Sequence, residues 1–133
     1  MLLGIISDKN HINKYLIMKK RIYISLPMGG YEDTVMGRFE KASREVLHKL
    51  GDVEIIAPYD IDMFDKSEIC NTPSENHDWA WYMGRDLEII LRCDAIFMCR
   101  GYLNSQGCRV ELAVAREMSL EIFFADDAQN DII

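Results

Sequence analysis

Residues 95–125 read AIFMCRGYLNSQGCRVELAVAREMSLEIFFA. Ala95–Cys99 is a near-continuous apolar run, the signature of a strand buried on both faces. Ser105-Gln106-Gly107 follows it and opens an amphipathic helix expected over Gly107–Met118. Glu121–Ala125 is again strand-like. Strand, helix and strand in so few residues predict one parallel crossover unit. Upstream the same alternation repeats. Arg21–Leu26 predicts a strand ending in the turn Pro27-Met28-Gly29-Gly30, and Thr34–Leu50 a helix closed by Gly51, with Val35, Phe39, Ala42, Val46 and Leu50 on one face. Val53–Ala57 predicts a strand stopped by Pro58, and Asp78–Arg92 a helix. Four alternations imply an α/β, doubly wound, mostly parallel sheet of four to five strands with helices on both faces. In such folds ligands sit beyond the carboxyl ends of the strands. That places the interest in loops 25–33, 58–77 and 100–107.

The chain has 133 residues, 49% hydrophobic and 28% charged, which suits one globular domain. That domain is expected over residues 19–127. Residues 1–18 read as a loose extension with Met18 as a natural start, or else as an edge strand at Leu2–Ser7; residues 128–133 read as an acidic tail. The net charge is −7, and residues 1–20 are basic, so the remainder is more acidic still. Such a body repels a nucleic acid polymer. No apolar run reaches the length of a bilayer span, so no membrane association is expected. Four cysteines and three histidines show no paired spacing for zinc. Cys93, Cys99 and Cys108 read as small buried hydrophobes in a cytoplasmic protein. No metal or cofactor is expected.

Two carboxylates fall where apolar residues belong. Positions on a helix advance about 100° per residue. Trp79 lies seven before Asp86 and Ile90 four after it, so Asp86 sits amid an apolar stripe. Cys108, Ala115 and Met118 stand in the same relation to Glu111. Buried carboxylates are costly and take up protons readily. Each has an ordinary explanation: an ion pair with Arg85, Arg92 or another basic residue at the helix edge for Asp86, the helix dipole for Glu111. The two together, at adjacent ends of one sheet, favour a site. Paired acids suit glycosidic cleavage, one attacking the sugar carbon and the other helping the leaving group depart. No Ser–His–Asp set, P-loop or GxGxxG after the first strand is present, which disfavours phosphoryl and hydride transfer.

Tyr23-Ile-Ser-Leu-Pro-Met-Gly-Gly, Arg85-Asp86-Leu87, Cys93-Asp94-Ala95-Ile96-Phe97 and Ser105-x-Gly-x-x-x-Glu111-Leu-x-x-Ala115 resemble the nucleoside 2-deoxyribosyltransferase-like proteins, closest to a branch from bacteria and phages. The likeness spans about residues 21–125. It implies a flavodoxin-like fold, a homo-oligomer, and cleavage or transfer at the N-glycosidic bond of a (deoxy)nucleoside or its 5′-monophosphate. By motif, Glu111 would be the nucleophile, Tyr23 would orient it, and Asp86 would assist proton transfer to the base. Ser25, Met28, Gly29, Gly30, Ser105 and Gly107 would contact the substrate, Met28 as pocket wall, and Asp60, just past the second strand, reads as a contact to a base edge or as a surface-loop acid. Ser105 stands where transferases carry an acid, as in relatives that hydrolyse 5′-monophosphates. The arginine those hydrolases carry in the glycine-rich loop is missing, with Arg100 or Arg109 as substitutes that the motif does not place. Trp79, Trp81 and Tyr82 read as base-stacking or as core and interface. The alternative to an enzyme is a non-catalytic nucleotide-binding or scaffold protein retaining the fold. A third reading is an oligomer whose acids meet a partner's arginines.

Overall fold

The structure, a computed structural model, describes residues 18–31, 33–59 and 78–130. Four strands form one sheet in the order β2-β1-β3-β4, with β1 at Lys20–Ser25, β2 at Val53–Ile56, β3 at Ala95–Met98 and β4 at Glu121–Phe124. Every pairing is parallel. Among the described residues three α-helices connect them: α1 at Val35–Leu50, α2 at Trp79–Ile90 and α3 at Gln106–Glu117. This is an α/β flavodoxin-like fold. The chain reverses its direction across the sheet at β1, so right-handed crossovers set α1 on one face and α2 and α3 on the other.

The central strands explain their own sequences. β1 from Ile22 onward and all of β3 are completely or nearly completely buried, because helices cover both faces. The edge strands β2 and β4 are only partly buried. The helices begin where their caps predict. Thr34, Asp78 and Ser105 each accept a backbone N–H of the first turn, from Gly37, Trp81 and Cys108. Gly51, at φ 79°, closes α1.

Boundaries fall within one or two residues of expectation, but two residues of the apolar stripes do not. Trp79 and Met118 are each 54% exposed. Trp79 is the first residue of α2 and Met118 the cap of α3. Both overhang the sheet, so sharing an azimuth with the buried face does not bury them. Past β4 the chain is tied down as far as residue 130. Asp127 pairs with Lys41 at 3.2 Å, Asp126 pairs with Lys49, and the Asp126 N–H donates to Glu45 Oε2 at 2.8 Å. The stretches 1–17 and 60–77, and with them the expectations for the extension, most of the loop 58–77 and Asp60, lie outside the described residues.

Candidate active site

The sheet's order turns over between β1 and β3, and the crevice beyond their carboxyl ends is where such folds bind ligands. Alternation along β1 sends Tyr23 and Ser25 to the same face. Both are completely buried. On α3 the buried residues are Cys108, Glu111, Leu112 and Ala115, the three-and-four spacing of a face turned to a sheet. Glu111 thereby lands over Tyr23 and Ser25. The Tyr23 hydroxyl donates to Glu111 Oε2 at 2.8 Å and the Ser25 hydroxyl to Oε1 at 2.7 Å. Both carboxyl oxygens are held, and the side chain is 5% exposed.

Asp86 arrives from the neighbouring helix. Met83, Asp86 and Ile90 form the buried face of α2, and Asp86 is 8% exposed. The Tyr59 backbone N–H donates to its Oδ1 at 2.8 Å. Arg85 and Arg92 pair with Glu88 instead, at 3.5 and 3.8 Å. Among the described residues, neither of these two arginines pairs with Asp86. Burial pushes the Glu111 carboxyl up to about 8; the hydrogen bonds from Ser25 and Tyr23 pull it down, while Asp86 pushes it up through its charge and a side-chain hydrogen bond. Two carboxyls so close share a proton more readily than they both ionise. Tyr23 is held protonated, well above its usual range, by burial and then by the charges of Glu111 and Asp86.

The two acids line one cavity of about 210 Å³, together with Met28, Trp79, Tyr82, Ser105, Gly107 and Cys108 among others. A larger cavity of about 670 Å³ adjoins it. Gly29, Gly30, Tyr31, Asp33, Arg100 and Asn104 line that second space, and Met28 and Ser105 line both. The structure therefore brings Tyr23, Asp86, Ser105, Gly107 and Glu111 together and sets Met28, Gly29 and Gly30 beside them. Ser25 serves as a clamp on Glu111, beneath the cavity wall.

Four contributors escaped the sequence reading. Cys108 is a cavity wall as well as a buried hydrophobe, its thiol pushed up to about 11 by burial and then by Glu111; its place three before Glu111 was a usable signal. The Tyr59 N–H, Tyr31 and Asn104 gave none, because their positions depend on where loops meet. Arg100, on the loop after β3, lines the outer cavity beside the glycine-rich loop. Arg109 does not line either cavity; it donates to the Leu103 carbonyl at 2.7 Å.

A family profile described as a domain of unknown function (DUF4406) matches residues 20–124. That span takes in β1 through β4 and every described residue of both cavities. No curated protein matches the chain.

Proposed function

We propose that this chain, which belongs to the DUF4406 family, breaks the N-glycosidic bond of a (deoxy)nucleoside or its 5′-monophosphate, with Glu111 as nucleophile. The observation that carries the reading is the pair of acids in one cavity, with Glu111 clamped at both oxygens and Asp86 against it. The motifs that resemble those of nucleoside 2-deoxyribosyltransferase-like proteins also support it, since they contain the same two acids.

The chemistry follows from the shared proton. At rest the proton sits on Glu111, whose carboxyl is pushed up by burial and by Asp86. Passing it to Asp86 leaves Glu111 ionised and Asp86 acidic, the two states the reaction needs together. Glu111 then attacks C1′. The C1′–O bond forms as the C1′–N bond breaks, and the base leaves with the proton from Asp86. Water, or a second base, displaces Glu111 from C1′, and Asp86 takes back the proton the nucleophile gives up. Tyr23 and Ser25 hold Glu111 on line throughout and stabilise its ionised form by donation. A 5′-phosphate would lie against Ser105, the Gly29 and Gly30 backbone and Arg100.

The test is release of free base from a panel of ribo- and deoxynucleosides and their 5′-monophosphates, followed by chromatography. Release from at least one is expected, and Glu111→Gln should slow it by at least about a thousandfold, the range of lost nucleophiles. Unchanged release in that variant, or none from wild-type protein, overturns the reading.

A further inference from the structure

The two adjoining cavities are unequal, and the larger one is not the one that holds the acids. The acid cavity, at about 210 Å³, is smaller than the 300–1,000 Å³ or so of ordinary small-molecule sites. The outer cavity, at about 670 Å³, lies well inside that range. A phosphate matches two or three waters of about 30 Å³ each, and would leave most of it empty.

The outer cavity is also built. Tyr31 forms its wall, with the Arg38 guanidinium 4.6 Å from the ring centroid and that of Arg100 at 5.8 Å. The Tyr31 hydroxyl donates to the Arg100 carbonyl at 3.2 Å. Gly101, at φ +82°, leaves room for it: a Cβ there would stand 1.5 Å from the hydroxyl. Arg38 also donates to the Pro27 carbonyl at 2.5 Å. The glycine-rich loop is thus pinned to the loop after β3.

Polarity runs along the joined space. Trp79, Tyr82 and Pro58 give the acid cavity its apolar end. Glu111 and Asp86 line the same cavity. Met28 and Ser105 make a neck, and Arg100, Asn104 and Asp33 a polar end. A base beside its proton donor belongs at the apolar end, and the sugar over Glu111. The substituent on the sugar then passes the neck into the polar end. Arg100 and Asp33 offset one another there. A terminal triphosphate would meet that carboxylate with surplus charge, whereas a bridging diphosphate carries one charge per phosphorus and leaves Asp33 to accept sugar hydroxyls.

We infer that the substrate is a dinucleoside diphosphate, whose second nucleoside occupies the outer cavity while Glu111 and Asp86 act on the first. This rests on the glycosidase reading and narrows its substrate. The bond broken is the same: water enters at C1′, one base leaves with a proton, and a base-free ribose stays joined through the diphosphate to the intact nucleoside.

Wild-type protein is offered, for each common base, the nucleoside, the 5′-monophosphate and the symmetric 5′,5′-dinucleoside diphosphate, and base release is timed. For the base preferred, kcat/KM is expected at least tenfold higher on the linked compound than on the monophosphate. Arg100→Ala and, separately, Asn104→Asp should bring that ratio toward one, chiefly through KM. A monophosphate as good as the linked compound overturns this inference and leaves the glycosidase reading standing. A ratio that neither variant moves overturns it as well. No base from any compound removes both.

Discussion

Glu111 is the residue on which the site turns, and its surroundings work against one another. Burial disfavours its charge, yet two hydroxyls are aimed at its oxygens. A carboxyl meant only to fill space would need neither donor, and one meant only as an anion would sit in water. The arrangement suits a group that must ionise briefly, at the moment of attack. Asp86 is the main charge opposing that ionisation. Asp86→Asn removes it together with the acid that uses the shared proton, so the alkaline limb of the kcat/KM profile, where that proton is lost near pH 8, should disappear, while the maximum rate falls by at least about a hundredfold for want of the acid. A limb that stays in place would separate the two carboxyls. Tyr23→Phe should move that alkaline limb to higher pH, since the lost donor favours the ionised form of Glu111.

At the scale of elements, the site depends on how α3 starts. Ser105 caps the helix through the Cys108 N–H at 3.2 Å, lines both cavities, and stands two turns from the acid it precedes. Thr34 caps α1 through the Gly37 N–H at 2.9 Å and touches neither. Ser105→Ala and Thr34→Ala should each cost about 1 kcal/mol, the usual worth of such a cap. Thermal melts would show similar losses, but only the Ser105 variant should raise KM for a substrate that crosses the neck. The turn at Gly101 makes a second case. Gly101→Ala puts a methyl group into the Tyr31 hydroxyl and strains a backbone at positive φ. It should cost about 1–3 kcal/mol and weaken binding in the outer cavity more than catalysis on a bare nucleoside. Equal losses for both substrates would mean that the Tyr31 wall is not part of the site.

At the scale of the whole molecule, the buried acid leaves a mark on stability. The ordinary value for Glu111 is 4.5 and the folded value is about 8. The folded state binds the proton more tightly, so stability is full below the lower value and drains away as pH rises through the window between them. Wild-type protein should therefore melt at least about 4 °C lower at pH 8.5 than at pH 5, the shift about 1 kcal/mol makes in a domain of this size. Glu111→Gln should flatten that slope. Cys93 and Cys108, each raised to about 11, act above this window. An equal slope in the variant would place the pH dependence elsewhere.

Much of this was written in local patterns. The apolar runs Ile22–Ile24 and Ala95–Met98 required central parallel strands, because only burial on both faces tolerates such sequences. Caps and glycines set the helix ends within a residue or two. Asp86 and Glu111 were conspicuous because a helical wheel counts neighbours on the same element. What a wheel cannot count is contact across elements. That Ser25 joins Tyr23 in reaching Glu111 from β1, that the Tyr59 N–H reaches Asp86, that Arg85 and Arg92 turn to Glu88, and that Arg100 lines the cavity beside the glycine-rich loop were decided only when the crossovers stacked α2 and α3 over β1 and β3. Periodicity is a property of one segment; proximity between segments arises from packing, and the chemistry of this cavity depends on proximity.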